Sequence, residues 1–324
     1  MVAKIDWVVR PSMSILSRLR RPAATRGDAT IILFYDTMWG GPPPEPSLAS
    51  RAGRVVTDDR RQQEAADAVV FHVPTLRRLP RRKPPGQVWV AWSIESEVNY
   101  PQLRDPAFIQ QFDLMATYRR DSDVPLSYVS YYGDSRNLAR ALVQPPAPKS
   151  PDRIAVMLIS SRIDRSGRLE YAGELMRFLD VHSFGRFRRN RRLPGDNGRP
   201  SKLDLIAGYK FTLAFENAID RDYVTEKFLD PLVAGSVPVY LGAPNVEDFA
   251  PGDRCYINTA DFPQPRDLAV FLRELCRDDV AYGSYLAWKH RPLRPAFEQF
   301  LESQSVPFVD RLFEKVEAVR SARG

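Results

Sequence analysis

The stretch that decides the fold runs from Tyr209 to Gly242, YKFTLAFENAIDRDYVTEKFLDPLVAGSVPVYLG. Phe211–Phe215 is apolar without alternation, which suits a strand covered on both faces, as in a parallel sheet. Glu216-Asn217 leave its carboxyl end, and a polar loop leads to Thr225, placed as the N-cap of a helix with Glu226 and Lys227 in its first turn. Val237–Leu241 is a second buried run. A helix N-terminus attracts anions, so Glu226 suits its field, whereas Lys227 has the wrong sign for it. A phosphate at the helix end explains Lys227; a surface salt bridge on an ordinary capped helix explains it equally well.

Outward from this segment the same pattern repeats. Thr30–Tyr35, Ala68–Val73, Val88–Trp92 and Leu114–Tyr118 read as strands in the first half. Ile154–Ser160, Leu179–Phe184 and Cys255–Asn258 do so in the second, with helical patterns over 168–179, 225–234 and 266–276. Val306, Val309, Phe313 and Val316 put an amphipathic helix near 305–320. Gln144–Pro151 holds four prolines in eight residues and cannot be a helix or central strand. Strand-helix alternation on both sides of it predicts an α/β fold of two doubly wound, Rossmann-like domains with C-terminal helices. The expected divisions are a basic segment 1–27, an α/β domain 28–145, a linker 146–151, a second α/β domain 152–290 and C-terminal helices 291–324.

Composition limits the function classes. The 324 residues carry 27% charged and 44% hydrophobic side chains, which excludes a wholly disordered or collagen-like chain. No run approaches the roughly 18 apolar residues of a membrane span. Residues 1–26 hold six basic groups against Asp6, five of the seven net positive charges, so the remainder is nearly neutral. That segment reads as a solvated tail or, with Ile15, Leu16 and Leu19 as an apolar stripe, as a peripheral membrane contact. Ile5–Val9, interrupted by Asp6, is too short for a signal-peptide core. Cys255 and Cys276 lack metal-ligand spacing, and His72, His182 and His290 are dispersed, so neither structural zinc nor a disulfide framework is expected.

The Tyr209–Lys227 run resembles the donor-binding region of the inverting α1,3/α1,4-fucosyltransferase family, whose pattern is roughly Y-K-F-x-L-x-F-E-N-x(5)-Y-x-T-E-K. The likeness continues through Val237–Gly242 and Ala260-Asp261-Phe262. Upstream, Ser160–Arg168 is similar to the family's strand-loop-Arg-helix element, Pro85–Val90 with Ile94-Glu95-Ser96 to its P-P-G-Q-x-W-V segment and Glu-Ser, and Tyr118–Pro125 to its Y-R-R-D-S-D run. The resemblance implies a GT-B architecture, two domains facing a cleft, and GDP-fucose as donor.

It places the general base at Glu95, with Glu97 a near competitor. It places donor binding at Arg168, Asn217, Tyr223, Glu226 and Lys227, with Glu216 and Thr225 as further donor-side support. Arg168 offers a planar fork suited to phosphate oxygens, against a helix-surface ion pair with Glu170 or Asp164. Cationic side chains and a helix terminus on the diphosphate make a divalent metal or other cofactor unnecessary, and Asp121-Ser122-Asp123 reads as a turn. The expected acceptor is an oligosaccharide or glycolipid, an N-acetylglucosamine-containing glycan or a lipopolysaccharide oligosaccharide.

The membrane anchor and paired cysteines of eukaryotic members, and the heptads of some bacterial ones, find no counterpart. A bacterial-type member in the cytoplasm, at the inner face of the membrane, is therefore expected. Another GDP-hexose as donor is the first alternative. A basic nucleic-acid or membrane-surface binding protein is the second, resting on runs such as Arg186, Arg188, Arg189, Arg191 and Arg192; no nucleic-acid motif accompanies them, and a solvated loop is the favoured reading.

Overall fold

The computed structural model describes residues 29–47, 51–150, 152–193, 195 and 197–323. The basic segment 1–27 and its apolar stripe lie outside the described residues. Among those described, no helix is long and apolar enough to cross a membrane.

The strands are β1 (Thr30–Phe34), β2 (Arg54–Thr57), β3 (Ala68–His72), β4 (Val88–Ser93), β5 (Leu114–Thr117), β6 (Ala155–Met157), β7 (Val181–Ser183), β8 (Phe211–Phe215), β9 (Val237–Leu241) and β10 (Ile257–Asn258). The helices are α1 (Pro106–Ile109), α2 (Ser135–Leu142), α3 (Arg168–Leu175), α4 (Arg199–Ala207), α5 (Glu226–Ala234), α6 (Pro265–Arg277), α7 (Asp279–Ser284), α8 (Pro295–Ser303) and α9 (Phe308–Ser321). Every strand read from the sequence is present, shorter by up to three residues at an end for most. The edge strand β2 and the helices α1, α2, α4 and α7 are not among the elements expected from the sequence.

Two five-stranded, fully parallel sheets result, ordered β2-β1-β3-β4-β5 and β10-β9-β8-β6-β7. Numbered within each sheet, both orders are 2-1-3-4-5. The chain therefore reverses direction across the sheet at one point in each, between β1 and β3 and between β6 and β8. In open α/β sheets ligands bind outside the carboxyl ends of the strands at such a point. The expected α/β fold of two doubly wound units is what the chain adopts.

Each unit has its own core. The first comprises the described residues up to Ser130 together with Ser303–Arg323. One face of its sheet, Ile32, Phe34, Val70, Val88, Val90 and Trp92, packs on Val309, Leu312, Phe313 and Val316 of α9. The other face is covered around Leu33, Phe71 and Trp89. Residues Tyr131–Glu302 form the second unit. Phe211, Leu213, Phe215, Val237, Val239 and Leu241 pack there on α3 and α6 through Ala172, Leu175, Leu268 and Leu272.

These boundaries differ from the expected ones. The proline run after Gln144 lies within the second unit, where Lys149 Nζ donates to Ala207 O at 2.6 Å and Pro146 packs on Gly235 at the end of α5. The C-terminal helices are divided, α8 with the second unit and α9 with the first, because the α9 stripe is the cover of the first sheet.

At the carboxyl edge of the first sheet, His72 is fully buried against Trp92, ring centroids 5.1 Å apart, with Nδ1 2.8 Å from Thr75 Oγ1. Burial pushes its pKa down to about 4. A histidine depressed in the folded state adds stability that is complete above its unfolded pKa near 6.5 and is lost as pH falls through that value toward 4. Urea unfolding should therefore lose about 3 kcal/mol between pH 7 and pH 4 from this residue alone. His72→Asn should flatten that part of the profile; an unchanged pH dependence would show the imidazole to be charged in the fold.

Candidate active site

The densest arrangement of polar groups lies at the carboxyl edge of the second sheet, at its reversal point. Two loops meet there. Arg165 N–H donates to Asn217 O at 2.7 Å, and Ser166 Oγ donates to Glu216 O at 2.6 Å. Asp164 accepts from the N–H groups of Arg168 and Leu169 at 2.9 and 3.1 Å and so holds the first turn of α3.

Arg168 is 1% exposed and does not sit on the helix surface. Nη1 donates to Phe215 O at 3.0 Å, and Nη2 to Ile163 O at 3.0 Å and Ser161 O at 3.3 Å. Its Nε is buried without a hydrogen-bond partner. The residue matched to a phosphate fork thus fastens the loop after β6 to the end of β8. The alternative of an ion pair with Glu170 is not what forms.

Glu216 follows from strand geometry. Residues 212 and 214 of β8 face away from the α3/α6 core, and residue 216 continues that period of two beyond the strand, toward α5. Its carboxylate is 0% exposed. Oε1 accepts from Thr225 N–H and Oε2 from Thr225 Oγ1, both at 2.8 Å. On the neighbouring strand, Gly242 extends the register that pairs Phe215 with Leu241. A Cβ there would fall 2.6 Å from Glu216 Cγ. Glycine at 242 is the room in which the glutamate sits.

Thr225 caps α5 as the sequence predicts, its Oγ1 accepting from Lys227 N–H at 3.2 Å. Such a cap contributes about 1 kcal/mol. Lys227 Nζ lies 3.2 Å from both Thr225 Oγ1 and Glu226 Oε1, and 3.5 Å from Glu216 Oε2. Burial pushes the Glu216 carboxyl up, against the pull of Lys227 and with reinforcement from Glu226. At Glu226 burial is outweighed by Lys227 and Lys202, and its carboxyl is held below the usual range. Two carboxyl groups sharing one ammonium are therefore driven apart in pKa.

Asn217 and Tyr223 stand at the two ends of the intervening loop, both buried. Tyr223 is 1% exposed and its carbonyl accepts from Tyr240 Oη at 3.4 Å.

In the first unit, Glu95 follows β4, partly exposed, with Ser93 Oγ bridging its N–H at 3.1 Å and its carbonyl at 3.0 Å. Burial and the Glu95 charge push the neighbouring Tyr100 phenol up to about 12. The competitor Glu97 is paired with Arg104 at 3.0 Å. In the Asp121–Asp123 turn, Asp123 accepts from Met115 N–H at 2.7 Å and Asp121 pairs with Arg119.

One cluster had escaped the sequence. Asp230 of α5, fully buried, receives Tyr132 Oη at 2.6 Å, Arg199 Nη2 at 2.7 Å and Lys202 Nζ at 2.8 Å. The arginines after β7 also do more than face solvent. Arg188 donates to Gly173 O and Arg189 to Gly185 O, both at 3.0 Å, and so brace their loop.

Residues 148–316 match the profile described as "Glycosyltransferase family 10 (fucosyltransferase) C-term", and residues 28–129 that described as "Fucosyltransferase, N-terminal". The chain belongs to glycosyltransferase family 10. It is 36% identical over 229 residues to human GDP-fucose protein O-fucosyltransferase 3, covering 68% of this chain and 47% of that one. It is 31% identical over 257 residues to Drosophila melanogaster α-(1,3)-fucosyltransferase B, covering 71% and 55%. The family 10 chain thus spans about half the length of the curated relatives it matches.

In fold it is similar to a solved α1,3-fucosyltransferase with GDP, at TM-score 0.59 and 16% identity over 92% of this chain and 93% of that one. The same holds for an α1,3-fucosyltransferase structure with GDP-fucose, at TM-score 0.55. The GT-B class expected from the sequence is the class of these neighbours.

For the family 10 chain, Arg168→Ala should lower unfolding free energy by about 3 kcal/mol, because the buried Phe215 carbonyl and the carbonyls of Ser161 and Ile163 lose their donor and a cavity is left. An unaltered urea midpoint would remove Arg168 from the framework. Gly242→Ala should cost about 1–3 kcal/mol through its collision with Glu216 and Tyr240, measured in the same way.

Proposed function

We propose that this chain transfers L-fucose from GDP-fucose to an acceptor hydroxyl with inversion at the anomeric carbon. The observation that carries the reading is the family motif from Tyr209 to Lys227, of which the part from Glu216 to Lys227 folds at the carboxyl edge of the second sheet. In that site Lys227, the N-terminal turn of α5 and the buried Arg168 supply positive charge for the departing diphosphate. Asn217, Tyr223 and Glu226 take the nucleotide and sugar hydroxyls. Glu95 removes the acceptor proton; its rival Glu97 is occupied by Arg104. Side-chain and helix-terminal charge replace a divalent metal in this reading.

For the acceptor, an N-acetylglucosamine-containing glycan follows the family resemblance of the sequence, and the Drosophila relative's name supports the α1,3 link alone. A protein hydroxyl is supported by the human relative's. The test is GDP release from GDP-fucose with a galactosyl and N-acetylglucosaminyl panel in one arm and folded protein domains bearing exposed Ser and Thr in the other. Turnover in one arm assigns the acceptor class; turnover in neither overturns the reading, and competition by other GDP-hexoses tests the donor. Glu95→Gln should reduce transfer about 10²–10⁴-fold while GDP-fucose still binds. Retained turnover would move the base elsewhere. Lys227→Ala should weaken donor binding, and an unchanged Kd would remove it from the diphosphate.

A further inference from the structure

The Glu216–Thr225–Lys227 contacts can be counted lone pair by lone pair. A threonine hydroxyl has one hydrogen and two lone pairs. Thr225 Oγ1 accepts from Lys227 N–H and from Lys227 Nζ, each at 3.2 Å, which uses both lone pairs. Its hydrogen therefore points to Glu216 Oε2 at 2.8 Å. Glu216 Oε1 is an acceptor too, from Thr225 N–H. In this arrangement Glu216 is a carboxylate, buried in the protein and compensated by one ammonium at 3.5 Å.

Protonating Glu216 changes the count. An acid hydrogen on Oε2 would need a Thr225 Oγ1 lone pair, and Thr225 would have to surrender one bond to Lys227. The helical N–H is fixed by the backbone; the Nζ bond is the one free to go. The converse also holds, since an ammonium that turns away leaves a buried carboxylate uncompensated, which is costly unless it neutralises.

We propose that Glu216 and Thr225 form a proton-coupled latch on Lys227, in which occupation of the Lys227 ammonium by the phosphates of a sugar nucleotide is accompanied by uptake of one proton from solvent at Glu216. The step is an acid–base exchange only: buffer acid gives a proton to a Glu216 oxygen, the hydrogen bond from Thr225 Oγ1 reverses, and Nζ passes to a phosphate oxygen. Emptying the site returns the proton. Glu216 is thus a positioning residue, acting on the donor through Thr225 and Lys227. The inference rests on the proposal that Lys227 meets the donor diphosphate.

The charged and titratable groups facing Glu216 leave it as the one to titrate. Lys227 and Glu226 approach from α5, and Glu226 stays ionised. Tyr240 on β9 is pushed well above the usual phenol range by burial and by Glu216 itself. Arg168 at the start of α3 lies within electrostatic reach, with Asp164 beside it.

GDP-fucose is the probe to use, because both its phosphates are esterified and neither titrates near neutrality. Titration calorimetry without acceptor, in two buffers of different ionisation enthalpy between about pH 5.5 and 8, reads the protons taken up. The wild-type chain should take up a fraction approaching one proton, and its Kd should rise with pH by up to about tenfold per unit. In Glu216→Gln the amide nitrogen donates to Thr225 Oγ1 as the neutral acid would. That variant should bind GDP-fucose without proton uptake and with a pH-independent Kd.

Wild-type binding with no buffer dependence overturns the latch, and so does undiminished proton uptake in Glu216→Gln. The wild-type arm decides even if the variant does not fold. Failure of GDP-fucose to bind at any pH would instead overturn the proposed donor.

Discussion

A carboxylate buried at the end of a strand, with a helix N-cap as its partner, holds the second unit's polar edge together. Glu216 is placed by strand periodicity, admitted by the missing side chain of Gly242, and satisfied by the N–H and hydroxyl of Thr225. Burying an ionised carboxylate is tolerable only with such full satisfaction. The consequence is mutual dependence. Thr225 is fixed because Glu216 must be satisfied, and α5 starts where Thr225 is fixed. The first-turn residues Glu226 and Lys227 then stand where the helix field is strongest.

Arg168 has a comparable task across the reversal point. Its guanidinium joins carbonyls from the loop after β6 to the last carbonyl of β8. Planar, fixed and always charged, it suits three carbonyls at once in a way that an ammonium would not. The residue that the family resemblance assigns to the donor thus builds the two loops at the reversal point.

The strands were legible because parallel strands buried on both faces are continuous apolar runs, and TIILF, AVVFH, VWVAW, FTLAF and VPVYL are such runs. The short edge strand RVVT has only two apolar residues and no second covered face to demand more. Helix α4 carried the signals of its own ends, Pro200 in its first turn and Gly208 after its last, but its nearly all-round mixture of apolar and polar residues offered no stripe to read. The site residues after β8 were legible as a motif, whereas the Asp230 cluster was not. It joins Tyr132, Arg199, Lys202 and Asp230 across almost a hundred positions, and pairing at such separation leaves no local pattern. Boundaries failed for a related reason: prolines mark where regular structure stops, not which core a segment joins.

The assignment of α9 to the first sheet bears on synthesis. Val309, Leu312, Phe313 and Val316 cover a face whose strands are all made before residue 118. The first unit is discontinuous in the chain, while the second, 131–302, is an unbroken segment. On a ribosome the amino-terminal sheet must wait with one apolar face open until α9 has emerged, while the unit made before that helix already has all of its own residues. The usual order, in which the first domain made is the first completed, is inverted by a single returning helix.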